Sequence, residues 1–472
     1  MTGLAGVGFA KYAMIVAMLG LVGRAKRDQV SFSLQTPNDT FIWVYLLWII
    51  YTTGEYFDTF KEVLPFAFFY FLTALILDQP RKLSGFLSCW VFGLIVVVVF
   101  ALSTHYGFEF AEGSTDLTNL FDGRLALNTW IFNNPNSLGH GVVALIPIAY
   151  VWLWWKRGLL SRLLALLVIA ASGFCVYLTQ SKGAYLCGFA AFGIVFLFRK
   201  RLVIQSLVVV LALTAGVAAI KLLPRMSTLS SQEDGIAGRL AIWRIAHSTM
   251  ENTFVGEGWK KFEAWVSIPQ MGSIRKATHG SYVNVGADLG YPGLFLFLAI
   301  LYVNGRVVYF ARPPLEDIET QRNQRALLSL FCSYASSAWM IDRAYHTDFF
   351  FIAGAIAAFQ RQMLKTDYRS SNAEHEGNNS HFSLVPQPQG QYRLAYSKVV
   401  PNDHMDNNQH DRSSSLSKTL EVDGSSSKIA INAQEAWLRW RKIGWLDLLL
   451  ILGLFEAVLY VWAEIMKNFI SF

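Results

Sequence analysis

The stretch VFGLIVVVVFAL, residues 91–102, decides the fold class of this chain. It has neither the period of an amphipathic helix nor the alternation of a half-buried strand. Residues 163–176 (LLALLVIAASGFCV) and 202–220 (LVIQSLVVVLALTAGVAAI) are runs of the same kind. A helix needs about 20 apolar residues to cross the roughly 30 Å hydrocarbon layer of a bilayer. We therefore predict an all-α, polytopic integral membrane protein.

The composition agrees with this class and argues against nucleic acid as a partner. Of the 472 residues, 53% are hydrophobic and 15% are charged, whereas a soluble protein carries roughly a quarter charged residues. The net charge of +7 comes from basic residues that cluster in short links between apolar runs. That distribution is the positive-inside pattern of a membrane protein.

Apolar runs separated by polar links predict about 12 membrane helices. The predicted ranges are 4–22, 39–53, 63–78, 84–103, 138–155, 160–178, 184–198, 202–220, 288–310, 326–342, 346–363 and 443–466. Basic residues occupy every second link, which places those links in the cytoplasm. A large loop at about 221–287 then lies outside, in the periplasm, as does the N-terminus. Because an outer N-terminus is unusual, we expect a further helix ahead of this start.

The chain divides into three parts by composition. Residues 1–365 form the predicted transmembrane domain. Residues 366–436 are rich in Ser, Asn, Gln and His and predict a disordered cytoplasmic linker, since they bury too little apolar surface to offset chain entropy. Residues 437–472 combine a basic, Trp-containing interfacial segment with a last membrane helix. The four cysteines all fall in apolar segments, and we interpret them as small buried hydrophobic residues without disulfides or metal.

Four polar clusters fall on the predicted outer side, where charged groups at a membrane edge indicate function. In the first, Arg124 precedes Asn134-Pro135-Asn136 and a predicted helix. Asn136 is interpreted either as the N-cap of that helix or as a site residue. His140, one turn further on, is more often a structural histidine at a helix end.

The second and third clusters offer cations for an anion. Lys182 lies in a short outer link, Thr179–Gly183, where it binds a specific anion or neutralises lipid phosphates in general. Arg239 and Trp243 recur at helical spacing, so an Arg in the first turn of a helix lies beside an aromatic ring. Such an Arg suits a phosphate oxyanion; the alternative is a solvated Arg on an amphipathic surface helix.

The fourth cluster supplies a candidate base. His279 lies just before an apolar helix and is followed by Tyr282 and Asp288. Histidine is the side chain whose ordinary pKa lies near neutrality, so it can take a proton from a hydroxyl and return it. Taken together, outer cations and one base suit a diphosphate donor and a hydroxyl acceptor.

The ordered set of motifs resembles the O-antigen ligase and polymerase superfamily of bacterial membrane glycosyltransferases. The resemblance spans roughly residues 123–293 and rests on short motifs in matching order. These motifs are Arg124, Asn134–Asn136, Ser181–Gly183, Arg239 with Trp243, Gly256 and Gly258, His279, and Gly290 with Gly293. Two positions depart from the family pattern. Lys182 stands where Arg is usual, which replaces a bidentate grip by a point charge, and Gly280 stands where Asn is common.

The resemblance implies an inverting, metal-independent glycosyltransferase, O-antigen ligase-like, that uses no cofactor. The implied donor is an undecaprenyl-diphosphate-linked glycan, and the implied acceptor is a hydroxyl of a glycan, of lipid A-core (lipopolysaccharide) or of a protein. His279 and Arg239 would be catalytic, and the residues implied to bind substrate are Arg124, Lys182, Trp243, Asn136 and Tyr282. The implied location is the bacterial inner membrane, with the site on the periplasmic side of the cell envelope.

Two alternatives remain at this stage. A ligase and a polysaccharide polymerase share this chemistry and differ only in the acceptor. A transporter or flippase for a lipid-linked glycan is the alternative from another class, although transporters more often carry internal repeats and polar residues at mid-membrane. Arg244, Arg343 and His346 also lie at the outer edge and are weaker site candidates.

Overall fold

The computed structural model describes residues 9–26, 34–129, 131–201, 203–206, 234–268, 272–378, 383–386, 392–395 and 443–468. These residues are mainly helical. The helices are α1 (Phe9–Lys26), α2 (Pro37–Thr53), α3 (Tyr56–Ile76), α4 (Pro80–His105), α5 (Ser114–Leu120), α6 (Pro135–Val143), α7 (Leu145–Ala149), α8 (Leu159–Thr179), α9 (Lys182–Leu197), α10 (Asp234–Asn252), α11 (Ser281–Phe310), α12 (Ile318–Ser337), α13 (Thr347–Asn378) and α14 (Trp445–Asn468). The strands are β1 (Ala264–Ile268), β2 (Gly272–Lys276), β3 (Ser383–Pro386) and β4 (Tyr392–Ala395).

Six helical segments in the described residues are long and apolar enough to cross a membrane. They are Tyr56–Ile76, Pro80–His105, Pro135–Trp154, Leu159–Thr179, Ser281–Phe310 and Trp445–Lys467. Helix α9 is apolar but shorter. The predicted number of about 12 spans stays a prediction, and most of the predicted span 202–220 lies outside the described residues.

The predicted bounds differ from the observed ones where a helix has a polar end. Helix α12 begins at Ile318, eight residues before its apolar run, because its first two turns are polar yet still helical. Its cap explains the start: the Asp317 carboxylate accepts the backbone N–H of Thr320 at 2.9 Å. Helix α11 likewise begins seven residues early, at Ser281. Apolar runs locate what crosses the bilayer, whereas capping side chains decide where the helix starts.

Helix α11 is buried along most of its length and is broken at Gly290, which has φ 65° and ψ −165°. A Cβ on Gly290 would lie 2.1 Å from the carbonyl oxygen of Phe254, so this position requires glycine. Tyr291 donates its backbone N–H to that same carbonyl at 3.1 Å. Gly258 donates its backbone N–H to the Asp288 carbonyl at 2.8 Å. The Gly256–Gly258 motif therefore packs directly on the break in α11.

The predicted outer loop 221–287 is largely structured where it is described. Helix α10 is followed by a hairpin in which β1 pairs antiparallel with β2, from Ala264 opposite Lys276 to Ile268 opposite Gly272. Residues 221–233 lie outside the described residues.

The C-terminal part of the chain contains a second compact unit, residues 363–441. Residues 366–378 continue helix α13, and β3 and β4 form a short antiparallel hairpin. The remaining residues of the predicted linker 366–436, and the interfacial segment at 437–442, lie outside the described residues. Disorder of the linker therefore stays a prediction.

Helix α14 returns to the first compact unit. Arg306 of α11 forms a buried ion pair with Asp447 at the start of α14, with 2.9 Å between Nη1 and Oδ2. Near the other end, Trp462 is 1% exposed and is among the largest fully buried side chains. Of the cysteines, Cys175, Cys187 and Cys332 are buried as predicted, but the prediction is wrong for Cys89, which is exposed on α4.

Candidate functional site

Arg124 connects the first two predicted clusters. Its Nε donates to the carbonyl oxygen of Thr179 at 3.1 Å, and its Nη2 donates to Oδ1 of Asn136 at 2.9 Å. Thr179 ends α8, and Asn136 lies in the first turn of α6. The guanidinium therefore joins the α8–α9 turn to the start of α6, with its planar donor fork directed at two acceptors at once.

The cap of α6 corrects one sequence interpretation. The N-cap residue is Asn134, whose side-chain oxygen accepts the backbone N–H of Asn136 at 2.8 Å. Pro135 takes the first helical position, where its missing N–H costs no hydrogen bond. Interpreting Asn136 as the cap is wrong by two residues. Asn136 is instead the partner of Arg124, and it lines a cavity.

The predicted Lys182 link is a tight turn between α8 and α9. Gln180 adopts a left-handed conformation with φ 50°, and the Ser181 side chain caps α9 by accepting from the backbone N–H of Ala184 at 3.4 Å. Lys182 is thereby the first residue of α9 and is half-buried. An added Cβ on Gly183 would lie 2.9 Å from Nε2 of His140, so this turn packs closely on α6.

One carboxylate, Asp342, holds the segment that carries His279. It accepts the Thr278 hydroxyl at 2.6 Å, the backbone N–H of His279 at 3.0 Å and the backbone N–H of Gly280 at 2.8 Å. His279 itself has φ 49°, an uncommon conformation for a residue other than glycine. Three hydrogen bonds from consecutive residues fix this backbone conformation.

Arg343, the next residue after Asp342, fixes the same corner from the other side. Its Nη1 forms an ion pair with Asp348 at 3.1 Å, its Nη2 donates to the Ser137 carbonyl at 3.3 Å, and its backbone N–H donates to the Ser281 hydroxyl at 2.8 Å. Two residues that the sequence offers as weaker candidates, Arg343 and His346, both line the cavities at this corner.

A cavity of about 240 Å³ joins these segments. It is lined by residues from the α6 cap, the His279 segment and the α12–α13 link, which include Asn133, Asn134, Asn136, Ser137, Ala277, His279, Asp342, Arg343 and His346. His279 and Asn136 thus share a cavity although they lie 143 positions apart in the sequence. Its lining offers a ring nitrogen, a guanidinium and several amides, which suit a polar or anionic ligand.

A larger cavity of about 660 Å³ shares Asp342, Arg343 and His346 with the first one. Its opposite wall is apolar and belongs to α4 and to the segment before α6. That wall includes Trp90, Gly93, Leu94, Val97, Ile131 and Phe132. The polar corner is therefore continuous with an apolar space that suits a lipid chain.

Trp243 and Tyr282 are buried side chains that support the His279 segment. Trp243 is 8% exposed, and its indole N–H donates to the Thr278 carbonyl at 2.8 Å. Tyr282 is 5% exposed, its hydroxyl donates to the Ala335 carbonyl at 3.0 Å, and its ring packs on Trp339. Their predicted contacts with substrate stay predictions, and both side chains hold the His279 segment in place.

Arg239 is half-buried on α10, four residues before Trp243, and Arg244 is exposed. The prediction of Arg239 in the first turn is wrong, because α10 begins at Asp234 and Arg239 lies in its second turn. His140 is 2% exposed, and its Nδ1 lies 3.0 Å from the Ser337 hydroxyl. The charges of Arg343 and Arg239 both act on the ring of His140, which belongs to α6, the helix that also carries Asn136.

Asp342 is the residue that sequence reasoning missed as the organiser of the site. No motif surrounds it in the sequence, and its three partners lie 62 to 64 residues earlier. Asp288, which follows His279 in the fourth cluster, accepts from the Phe262 backbone N–H and the Asn284 amide.

The apolar helices of this protein bring arginines, asparagines and a histidine together around a cavity at their ends. This arrangement defines its class, which is a helical membrane protein with a polar site at one end of the helix bundle. Residues 165–298 match the family model described as O-antigen ligase, Wzy_C. The match confirms the resemblance to the O-antigen ligase superfamily and indicates glycan transfer of the ligase or polymerase type. It includes Lys182, Arg239 and His279. No curated protein gives a significant match to the chain.

Proposed function

We propose that this chain is a membrane glycosyltransferase that moves a glycan from an undecaprenyl-diphosphate donor to an acceptor hydroxyl. The observation that carries the proposal is the cavity of about 240 Å³ whose lining includes His279, Asn136 and Arg343. A proton-accepting ring and a guanidinium at one cavity match two demands of this reaction. The first is to activate a hydroxyl, and the second is to stabilise a leaving diphosphate.

In the proposed reaction, the acceptor oxygen attacks the anomeric carbon from the face opposite the diphosphate. The bond from that carbon to the diphosphate oxygen breaks, so the configuration inverts. The hydroxyl proton passes to His279. The negative charge left on the diphosphate is stabilised by Arg343 in the cavity lining, together with Arg239, Lys182 and Arg124, which lie outside that lining. Because these cations supply the stabilising charge, the proposed transfer is independent of a metal ion.

Positions in the structure support a division of roles. Asn136 accepts from Arg124 and lines the cavity, so the pair suits a donor phosphate or sugar. Asp342 lines the same cavity and positions His279 through the backbone N–H groups that it accepts. Arg343 adds a guanidinium that the motif comparison did not supply.

The larger cavity supports the lipid part of the donor. Its apolar wall on α4 suits a polyprenyl chain, and its polar corner at Arg343 suits the attached diphosphate. We propose that the chain lies in the bacterial inner membrane with this corner at the periplasmic face. The acceptor is then a hydroxyl of a second lipid-linked glycan, of lipid A-core or of a protein, which decides between polymerase and ligase.

The test is transfer from an undecaprenyl-diphosphate-linked glycan by the purified protein in detergent with EDTA present. We expect turnover by the wild type and a loss of at least about 100-fold in His279→Ala and Arg239→Ala. Arg244→Ala is the matched control, because Arg244 lies on the same helix but is exposed. Equal turnover in all four proteins would refute the site, and a requirement for added metal would refute the metal-independent mechanism.

A transporter of lipid-linked glycans is the second candidate, favoured by two discontinuous helices. The α6–α7 segment ends in a π-helical turn at Tyr150–Trp154, and α11 is broken at Gly290. Broken helices often form transport sites. Flipping of the donor in liposomes, without transfer to any acceptor tested, would favour this function over the transferase.

A further inference from the structure

The helices that carry the candidate site bring a second group of charges together at their opposite ends. The site uses the starts of α9 and α11 and the end of α12. The ends of α9 and α11, the start of α12 and the turn after the π-helical segment gather six cations. We call them the basal cation cluster: Lys156, Arg157, Arg199, Arg312, Arg322 and Arg325.

Two aromatic rings draw three of these cations together. Nζ of Lys156 lies 4.7 Å from the ring centroid of Trp155, and the guanidinium carbon of Arg325 lies 4.6 Å from the same ring. Arg325 also lies 5.1 Å from the Phe198 ring, which Arg199 approaches to 5.0 Å. Each ring offers its negative face to two positive charges at once, which offsets part of their mutual repulsion.

The remaining cations are not relieved in this way. Nε of Arg322 is buried and has no hydrogen-bond partner among the described residues. Burial lowers the pKa of Arg322, the neighbouring charge of Arg157 lowers that pKa further, and the Glu319 carboxylate offsets part of the fall. Burial and the positive charge of Arg312 lower the pKa of Arg199 in the same way. Like charges thus act on each other in these two pairs.

Nearby carboxylates are engaged elsewhere. The Asp317 carboxylate caps α12 through Thr320, and Glu319 accepts the Ser84 hydroxyl at 2.6 Å. Within the described part of the chain, no member of the basal cation cluster forms an ion pair with a carboxylate within 4.0 Å. The ion pairs found there are Lys61–Asp58, Lys82–Asp78, His247–Glu251, Lys260–Glu62, Lys261–Glu55, Arg306–Asp447, Arg343–Asp348 and Arg361–Asp39.

We propose that the basal cation cluster binds the phosphate groups of an anionic phospholipid, with the buried Nε of Arg322 as one of the donors. A phosphate offers several acceptor oxygens and up to two negative charges to guanidinium groups that otherwise repel each other. Basic pockets between membrane helices on the cytoplasmic side are suited to such head groups. The positive-inside pattern alone accounts for basic links. It does not account for Arg322 and Arg325, which are half-buried although the positive charges of Arg157 and Arg199 act on them.

The test measures lipid binding and thermal stability of the full-length protein in detergent. Cardiolipin, which carries two phosphates, is added to the wild type and to Arg322→Gln, and bound lipid is measured by native mass spectrometry. We expect about tenfold weaker cardiolipin binding by the variant and a smaller lipid-induced rise in its Tm. Without lipid, we expect the Tm of Arg322→Gln to equal or exceed that of the wild type, because repulsion from Arg157 is removed.

Three comparisons make the test decisive. Arg81→Gln is the matched control, an exposed cation of a different basic link, and it should bind cardiolipin as the wild type does. Phosphatidylcholine should raise the Tm little, and high salt should weaken cardiolipin binding. Unchanged cardiolipin binding by Arg322→Gln would overturn the proposal. An equal rise in Tm with pyrophosphate alone would overturn the lipid as the source of the phosphate.

Discussion

Two carboxylates of this protein each accept three hydrogen bonds, yet they do different things. Asp39, near the start of α2, is 0% exposed. It binds the backbone N–H of Thr36 at 2.8 Å, the Tyr70 hydroxyl at 2.7 Å and the Arg361 guanidinium at 2.9 Å. Its negative charge is neutralised by a buried cation, and no cavity described here reaches it. This is a structural ion pair that ties α2 to α3 and α13.

Asp342 is held by neutral donors instead, one hydroxyl and two backbone N–H groups. It lies at the wall of both the small and the large cavity, beside Arg343. The difference teaches that the number of hydrogen bonds does not separate structural from functional carboxylates. The identity of the hydrogen-bond donors and the exposure of the carboxylate to a cavity separate the two kinds. Substitutions of Asp39 and Asp342 test this comparison directly, and substitutions of Trp462 and Arg124 extend it to other residues of the site.

The largest expected effect is on stability, in Asp39→Ala. Removing the carboxylate leaves the Arg361 guanidinium buried without its counter-charge, which costs about 3–5 kcal/mol. We expect a much lower Tm in detergent and a lower yield, with normal transfer activity per folded molecule. The double variant Asp39→Ala/Arg361→Met should recover part of the Tm. If the single variant kept its Tm but lost activity, the assignment of Asp39 as structural would be wrong.

The second effect is on activity, in Asp342→Ala. Loss of three hydrogen bonds frees the His279 segment, so we expect about a 100-fold fall in kcat, equivalent to roughly 2.7 kcal/mol. The fall in Tm should be smaller than for Asp39→Ala, because no opposite buried charge is left behind. Asp342→Asn, which keeps an acceptor oxygen, should be intermediate. A fall in Tm as large as that of Asp39→Ala, with kcat unchanged, would remove the distinction between the two carboxylates.

A smaller effect is expected from Trp462→Phe. The Trp462 indole N–H donates to the Trp243 carbonyl at 3.2 Å, and Trp243 in turn holds Thr278 beside His279. Loss of one such hydrogen bond costs about 1 kcal/mol. We expect kcat to fall about fivefold while KM stays within about twofold. Trp445→Phe, at the exposed start of the same helix, is the control. Equal effects in both variants would contradict a positioning role for Trp462.

The smallest effect is expected from Arg124→Lys. The positive charge remains, but a single ammonium replaces a planar fork that now contacts both the Thr179 carbonyl and Asn136. We expect KM for the donor to rise about three- to tenfold, with kcat and Tm little changed. Arg124→Gln should raise KM further. If lysine and glutamine gave the same KM, the charge of Arg124 would have no part in donor binding.

Much of the site was accessible from the sequence because its residues carry local signals. Asn134–Asn136 precede an apolar helix, and His279 precedes another, so both were predicted at helix ends on one side of a membrane. The structure brings these two helix ends to one cavity, and the side of the membrane stays a prediction from the charges of the links. The superfamily resemblance, confirmed over residues 165–298, rests on the same local signals.

The rest depended on contacts between distant residues. Nothing near Asp342 in the sequence distinguishes it from other outer acids, and its role follows only from where the His279 segment passes. The burial of Trp243 and Tyr282 could not be predicted either, because spacing along a helix does not reveal which face is covered. The early starts of α11 and α12 were missed for a related reason, since apolar runs do not report polar helical turns.

The contact between Trp462 and Trp243 also has a consequence for synthesis. A ribosome makes the chain from its N-terminus, so α14 emerges after every other element of the site. A polypeptide released before residue 462 would contain Arg239, His279 and Asp342 but would lack the side chain that packs on Trp243. The Trp462–Trp243 contact can therefore form only after translation has passed the linker. Chains that end before residue 462 would be poor catalysts.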